Sequence, residues 1–144
     1  MDVASTKLHH RHVWILAYPA EDVPGEWIAH CLDVDVVMQG PTVDAALQSA
    51  IDGALFVMKS DLSRGEDPFA RRAPESDWSD LLRVTSEGER FASDRISEKA
   101  PDMKKLAVQC DVFLDVDLHG AVAPIARDSA VPAPAWRVAA APAA

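Results

Sequence analysis

The feature that most constrains the fold is a long amphipathic stretch near the middle of the chain. From Val43 to Leu62, apolar residues recur at the three- and four-residue spacings of one helix face, while polar residues fall mostly on the opposite face. Thr42 precedes this stretch, and its hydroxyl can accept from backbone N–H groups of a first helical turn. The pattern therefore predicts a helix that begins at Val43 and whose apolar face covers a sheet.

Two glycines are informative about this helix. Gly65 follows the last apolar position and is a typical stop signal. Gly53 lies inside the helix, where a glycine costs up to about 1 kcal/mol relative to alanine. We interpret Gly53 as a point where the helix closely approaches a strand.

Three strands are expected before the helix. The run from His12 to Pro19 is rich in β-branched and aromatic residues on both of its faces, so we expect both faces to be covered. Turn residues Pro24 and Gly25 separate this run from a second strand, Trp27 to Leu32, and a third strand begins at Val36. Links this short cannot cross over to make parallel pairs, so the three strands should form an antiparallel meander.

The rest of the chain contains one further predicted strand. Residues 66–102 are highly charged, and we interpret them as a surface insertion in which Trp78, Leu81 and Leu82 of a one- or two-turn helix pack against the body. In residues 104–118, apolar residues occur at every second position, so they share one side of a strand. We predict that this strand joins the sheet. Residues 119–144 are rich in alanine and proline and are predicted to be a disordered tail.

These segments predict a single α+β domain over residues 8–118. Its order is β-β-β-α-β, with a small sheet of three to four strands and one long helix packed across it. The 144-residue chain has 14 Lys and Arg against 23 Asp and Glu, a net charge of −9. This negative net charge argues against binding nucleic acid through broad phosphate neutralisation and favours a basic partner.

Cysteine usage and apolar run lengths exclude several other classes. Cys31 and Cys110 show no CxxC spacing and are too few for a disulfide scaffold, so we expect them to be buried packing groups. Residues 1–12 hold no apolar stretch of signal-peptide length, and no apolar run is long enough to span a bilayer. We therefore expect a soluble cytoplasmic protein with no membrane association.

The first half of the chain resembles a known family. The resemblance lies in the sequence GEWIAHCLDVDVVMQG over residues 25–40, followed by Thr42, Ala45-Ala46-Leu47 and Ala54-Leu55. In order and spacing, it is similar to the N-terminal module of HicB-like antitoxins across residues 12–62. The resemblance implies a truncated RNase-H-like fold in which the strand at 106–118 lies beside the first strand.

The same resemblance implies a function. Modules of this family mask a small basic toxin, a HicA-type mRNA interferase, so we expect a non-enzymatic, antitoxin-like interaction protein without cofactor or metal. We also expect a homo-oligomer formed through an exposed sheet edge or helix. After Leu118 no amphipathic helix pair or basic recognition segment is present, so direct nucleic-acid binding is not expected. The candidate partner-binding residues are Trp27, His30, Asp33, Asp35, Asp115 and Asp117.

Two alternatives remain open from the sequence. One is an orphan protein of the same fold that binds another protein or a small ligand instead of a toxin. The other is a metal-dependent RNase-H-like nuclease, which would need carboxylates that hold magnesium ions about 4 Å apart. The carboxylates that could do so are Asp33, Asp35, Asp111, Asp115 and Asp117. His9, His10 and His12 lie near the N-terminus, where we expect a frayed end instead of a metal site.

Overall fold

The structure is a computed structural model that describes residues 7–116, 122–124 and 136–142. Within that part of the chain, no helix combines the length and apolar character needed to cross a membrane. The strands are β1 (Lys7–Pro19), β2 (Trp27–Cys31), β3 (Val36–Gly40), β4 (Glu89–Ala92), β5 (Met103–Val116), β6 (Val122–Pro124) and β7 (Trp136–Pro142). The helices are α1 (Val43–Ser63), α2 (Glu75–Glu87) and the short α3 (Ile96–Lys99), with 3-10 turns at Pro68–Arg71, Ser93–Arg95 and Ala100–Asp102.

The strands form one antiparallel sheet in the order β3-β2-β1-β5-β7-β4, with β6 beside β5. The predicted meander is confirmed, since β1 pairs with β2 and β2 pairs with β3. The strand predicted at 104–118 is β5, which lies antiparallel to β1 over eleven residue pairs, from Lys7 opposite Val116 to Ala17 opposite Leu106. The elements β1, β2, β3, α1 and β5 follow the predicted β-β-β-α-β order of an α+β domain, but α2, β4 and α3 stand between α1 and β5.

Helix α1 covers one face of this sheet, as predicted. Thr42 caps it: the Thr42 hydroxyl accepts from the Ala45 N–H at 3.1 Å, and the backbone of Thr42 is extended. Leu47 and Met58 pack against the strands with 2% and 0% of their surfaces exposed. Each large apolar side chain buried in this way contributes about 1.5–3 kcal/mol. The strands supply the other half of this core through Val13, Ile15, Ala17, Ala29, Cys31, Leu106, Val108 and Cys110.

Glycines allow α1 to lie very close to the β2–β3 hairpin. A Cβ atom on Gly53 would meet Val36 Cγ1 at 3.0 Å, which confirms the predicted close approach. A Cβ atom on Gly40 would lie 2.7 Å from the backbone nitrogen of Ala46, in the first turn of α1. Gly65 ends the helical segment with a φ of +74°, a conformation that favours glycine. Glycine at positions 40 and 53 thus sets the distance between helix and sheet.

Helix α2 covers part of the opposite face. It has 13 residues instead of the predicted one or two turns, so the sheet carries a long helix on each side and not only one. Leu81 and Val84 are buried against Leu16 and Ala107, and Trp78 is half-buried beside them. Leu82, predicted to pack on the body, is 68% exposed. The physical reason is helix periodicity: Trp78, Leu81 and Val84 recur at three-residue intervals and share one side, whereas Leu82 lies outside that stripe.

The predicted disordered tail also needs a correction. Within residues 119–144, the segments Val122–Pro124 and Trp136–Pro142 are strands that pair with β5, and β7 also pairs with β4. Between its ends β7 contains no proline, so its interior residues keep the N–H donors that a ladder needs. The sheet is consequently larger than the predicted three to four strands. The other residues of the predicted tail lie outside the described residues.

Replacing Gly40 by alanine should destabilise the protein. The new methyl group would meet backbone atoms of α1, which cannot move without shifting the helix from the sheet. We expect Gly40→Ala to lower the free energy of unfolding by about 1–3 kcal/mol in urea titrations.

Gly53→Ala is the matched control. Its methyl group meets only side-chain atoms, those of Val36 and Met38, and alanine improves helix propensity by up to about 1 kcal/mol. Its effect should therefore be smaller than that of Gly40→Ala. A Gly40→Ala protein as stable as the parent would contradict the close packing of α1 on the hairpin.

Candidate protein-interaction site

The sheet face opposite α1 is only partly covered. Helix α2 makes its main sheet contacts with β5 and β7, and the same face continues over the end of β1, β2 and β3. There Tyr18 and Ile28 are partly exposed, and Val37 is 54% exposed. The strand registers place Tyr18 opposite Ile28 and His30 opposite Val37, so these side chains lie next to each other on one surface. We call the set Tyr18, Ile28, His30, Val37 and Gln39 the open face.

Carboxylates lie at the end of the open face near Tyr18. Burial raises the pKa of the Tyr18 hydroxyl, and the negative charges of Asp77 and Glu21 raise that pKa further. Asp77 belongs to the first turn of α2, and Glu21 lies two residues after the end of β1. Tyrosine offers a large apolar ring with a polar tip and is enriched at protein interfaces. An aromatic group flanked by two acids suits a basic protein partner.

A buried histidine lies within the open face. His30 is 7% exposed, and its Nε2 atom lies 2.6 Å from Oδ1 of Asp35, which is itself exposed. Asp35 stands in the β2–β3 turn with a φ of +54°, a left-handed conformation that Asp tolerates better than most residues. The turn therefore directs the Asp35 carboxylate back to His30, and the pair gives the open face a second polar group.

Asp33 is a buried carboxylate with structural partners. It is 8% exposed and accepts from the Trp14 N–H at 2.7 Å, while Arg11 lies 3.6 Å from its other oxygen. Burial raises the pKa of Asp33, and the hydrogen bond from Trp14 and the charges of Arg11 and Arg72 oppose that rise. Asp33 thus extends the pairing of β1 and β2 beyond Cys31 and leaves little surface for a partner.

The six predicted partner-binding residues therefore occupy different environments. Trp27 is 9% exposed and packs in the core under α1, and His30 and Asp33 are also buried. They can support an interaction surface only from beneath, whereas Asp35 can contact a partner directly. Asp115 lies in β5, where the structure describes the backbone but not this side chain, and Asp117 lies outside the described residues.

The carboxylates considered for a nuclease do not converge in the described part of the chain. Asp33 lies with Arg11, Asp35 with His30, and Asp111 contacts His12 Nδ1. Among the described residues, no group of three or more Asp, Glu, His or Cys side chains is arranged to hold a metal ion. The side chains of His9 and His10 are outside the described set, and His12 lies opposite Asp111 in the β1–β5 register.

The two cysteines are buried thiols. Both side chains are 0% exposed on the α1 face of the sheet. Burial raises the pKa of each thiol to about 12, so neither forms a thiolate at neutral pH. The expectation that Cys31 and Cys110 are packing groups is confirmed.

Tyr18, Glu21 and Asp77 were not predicted as site residues. Tyr18 and Glu21 are close in sequence, but Asp77 comes from the segment predicted to be a surface insertion. The strong aromatic character of β1 on the Tyr18 side was a usable signal. The position of α2 over the sheet, which brings Asp77 to that side, depends on long-range packing.

Among the described residues, the Asp61 carboxylate is the one most extensively paired with basic side chains. It is 2% exposed at the end of α1 and bonds Arg71 through two contacts, 2.5 and 2.9 Å, and Arg64 at 2.5 Å. These arginines lower the pKa of Asp61 below its usual value of 3.8, the hydrogen bond from Arg71 being the largest cause. The network joins α1 to the 3-10 turn from which the chain passes to the α2 side, and its role is structural.

This network predicts a pH dependence of stability. Because the folded-state pKa of Asp61 is lowered, its contribution is fully present above the unfolded-state pKa and is lost as pH falls through the folded-state pKa. Asp61→Asn should lower thermal stability at pH 7, and the difference from the parent should shrink steadily below about pH 4.

Asp52→Asn, on the solvent side of α1, is the matched control and should follow the parent at every pH. An Asp61→Asn protein whose stability difference persists unchanged to about pH 2 would show that the carboxylate charge is not what stabilises this corner.

The features relevant to function are thus the open face, its neighbouring acids and the paired Asp35. They belong to the side of the sheet that α1 does not cover. Compared with protein-family models, curated proteins and solved structures, the chain matches none of them.

Proposed function

We propose that this chain is a non-enzymatic, HicB-like interaction module that masks a small basic toxin of the HicA type. The proposal rests first on the resemblance of residues 12–62 to that family. The β-β-β-α-β order, with β5 beside β1, is the arrangement that the resemblance implies and supports the proposal. The truncated RNase-H-like assignment is part of the same proposal.

The observation that carries the proposal is the acidic open face. Ile28, Val37 and the Tyr18 ring offer apolar contact area, and Glu21, Asp35 and Asp77 provide negative charge beside it. An apolar centre with a charged rim is the usual anatomy of a protein interface. An RNA-cleaving toxin must be basic to hold phosphates, so the complementary charge would increase its association rate.

Net charge supports the same partner class. At −9 the chain attracts basic proteins from a distance, and the effect weakens as salt screens it, with a Debye length of about 10 Å at 0.1 M. By masking the phosphate-binding surface of a toxin, an acidic protein would compete with RNA without any catalytic step. No residue of the open face needs to change covalently for this function.

The alternatives have less support. A two-metal nuclease needs carboxylates gathered around ions about 4 Å apart. Asp33, Asp35 and Asp111 instead each lie against a different basic side chain. An orphan protein of this fold would use the same open face for another protein, and the nature of the partner distinguishes it from an antitoxin.

Binding to the toxin should depend on the acids near Tyr18. We expect the chain, co-expressed with a HicA-type toxin encoded next to it, to restore growth and to co-purify with the toxin. Glu21→Lys combined with Asp77→Lys should weaken binding by about tenfold or more at low salt, because the change reverses the charge at the open face. Calorimetry at two salt concentrations measures the effect.

The control combines Asp52→Lys with Glu98→Lys, which changes the net charge equally on the α1 side of the sheet. It should alter affinity by less than about threefold, through long-range attraction only. A neighbouring protein that is neither toxic nor bound would contradict the antitoxin role. Magnesium-dependent RNA cleavage by the purified chain, abolished by Asp33→Asn, would favour the nuclease instead.

A further inference from the structure

The strand β3 has an unpaired edge among the described strands. It begins the strand order of the sheet and pairs only with β2. In an antiparallel sheet, every second residue of an edge strand directs its N–H and C=O groups away from the neighbouring strand and towards the open edge. These groups are a template for one more strand, and natural edge strands usually oppose such pairing with lysine, proline or a bulge. Residues Val36–Gly40 contain no charged residue and no proline, and the β2–β3 register is regular.

Exposed apolar side chains surround this edge. Val37 and Met38 are 54% and 37% exposed on the two faces of β3. Phe56 of α1 is 73% exposed and lies three residues after Gly53, the helix position that is next to Val36 and Met38. Val37, Met38 and Phe56 are three of the five large apolar side chains exposed in the described residues. The opposite border of the sheet, β4, carries Glu89 and Arg90.

The charges near β3 are compatible with a second copy of this chain. With a net charge of −9, two copies repel each other over most of their surfaces. The strand itself is neutral, and two flanking carboxylates have partners within their own chain. Asp35 lies 2.6 Å from His30, and Glu26 accepts from the Gln39 side chain at 2.8 Å. The five residues of the strand carry no charge themselves, so an identical strand meets no like charge within the ladder.

We propose that two copies of this chain associate through antiparallel pairing of β3 with β3 of the second copy, assisted by Met38 and Phe56. The pairing is isologous, because each copy offers the same strand in opposite direction. It would join two sheets into one and place the open faces of both copies on the same side. The inference is independent of the toxin, since it concerns the chain alone.

The strength of this association follows from its size. Five paired residues and a few apolar side chains fall at the small end of specific interfaces, below about 1,200 Å² in total. We therefore expect a reversible dimer with a dissociation constant on the order of 10–100 µM. A permanent dimer would require a larger surface.

Sedimentation velocity of the purified chain without toxin tests the proposal. The weight-average mass should rise from that of the 15.6 kDa monomer at about 1 µM towards twice that value at several hundred micromolar. Val37→Lys should remain monomeric over this range, because each copy then places a charged side chain within the new strand pair, where the two lysines are diagonal neighbours on one face. Leu82→Lys is the matched control, because Leu82 is an apolar residue on α2 that is at least as exposed as Val37, and it should associate like the parent.

Hydrogen exchange separates strand pairing from simple apolar contact. Amides of β3 should exchange more slowly at high than at low protein concentration, and this difference should be absent in Val37→Lys. A parent chain that stays monomeric throughout would overturn the proposal. So would a Val37→Lys protein that dimerises like the parent, or a dimer whose β3 amides gain no protection.

Discussion

The close packing of α1 on the β2–β3 hairpin is the contact on which the rest of the structure depends. It is possible because Gly40 and Gly53 have no side chain. A Cβ atom on Gly40 would lie 2.7 Å from the Ala46 backbone nitrogen, and one on Gly53 would lie 3.0 Å from Val36 Cγ1. This contact places α1 over the β2–β3 end of the sheet, and near the end of the helix Asp61 binds Arg71 and Arg64. The chain then passes to the other face, which α2 covers only in part.

The features predictable from sequence are those that depend on neighbouring residues. The Thr42 cap, the α1 stripe and the β1–β2–β3 meander follow from local periodicity and turn chemistry, and the structure confirms them. The role of Leu82 was predicted wrongly because a short apolar cluster does not reveal which side of a helix is buried. Segments β6 and β7 were missed because their pairing with β5 is long-range and their alanine-rich composition favours no element.

The candidate site was only partly predictable for a related reason. Asp35 and His30 were identified, and the turn at Asp35 brings their side chains together. Trp27 and Asp33 lie at strand ends, where an aromatic or acidic residue can be either exposed or buried. Trp27 is buried because α1 covers it, and Asp33 is buried because it accepts a hydrogen bond from the Trp14 N–H. Asp77 reaches Tyr18 only because α2 lies across the sheet. Such neighbours are set by tertiary packing, which one sequence does not encode locally.

The two sides of the sheet thus have different physical roles. The α1 side holds the larger core and both cysteines, whereas the other side leaves Tyr18, Ile28 and Val37 in contact with solvent beside several acids. Hydrogen exchange of the chain with and without the small basic toxin that we propose as its partner tests this division most directly. We predict slower exchange at residues 18–28 and 35–39 in the complex, with α1 unchanged. Protection confined to α1 and α3 would contradict it.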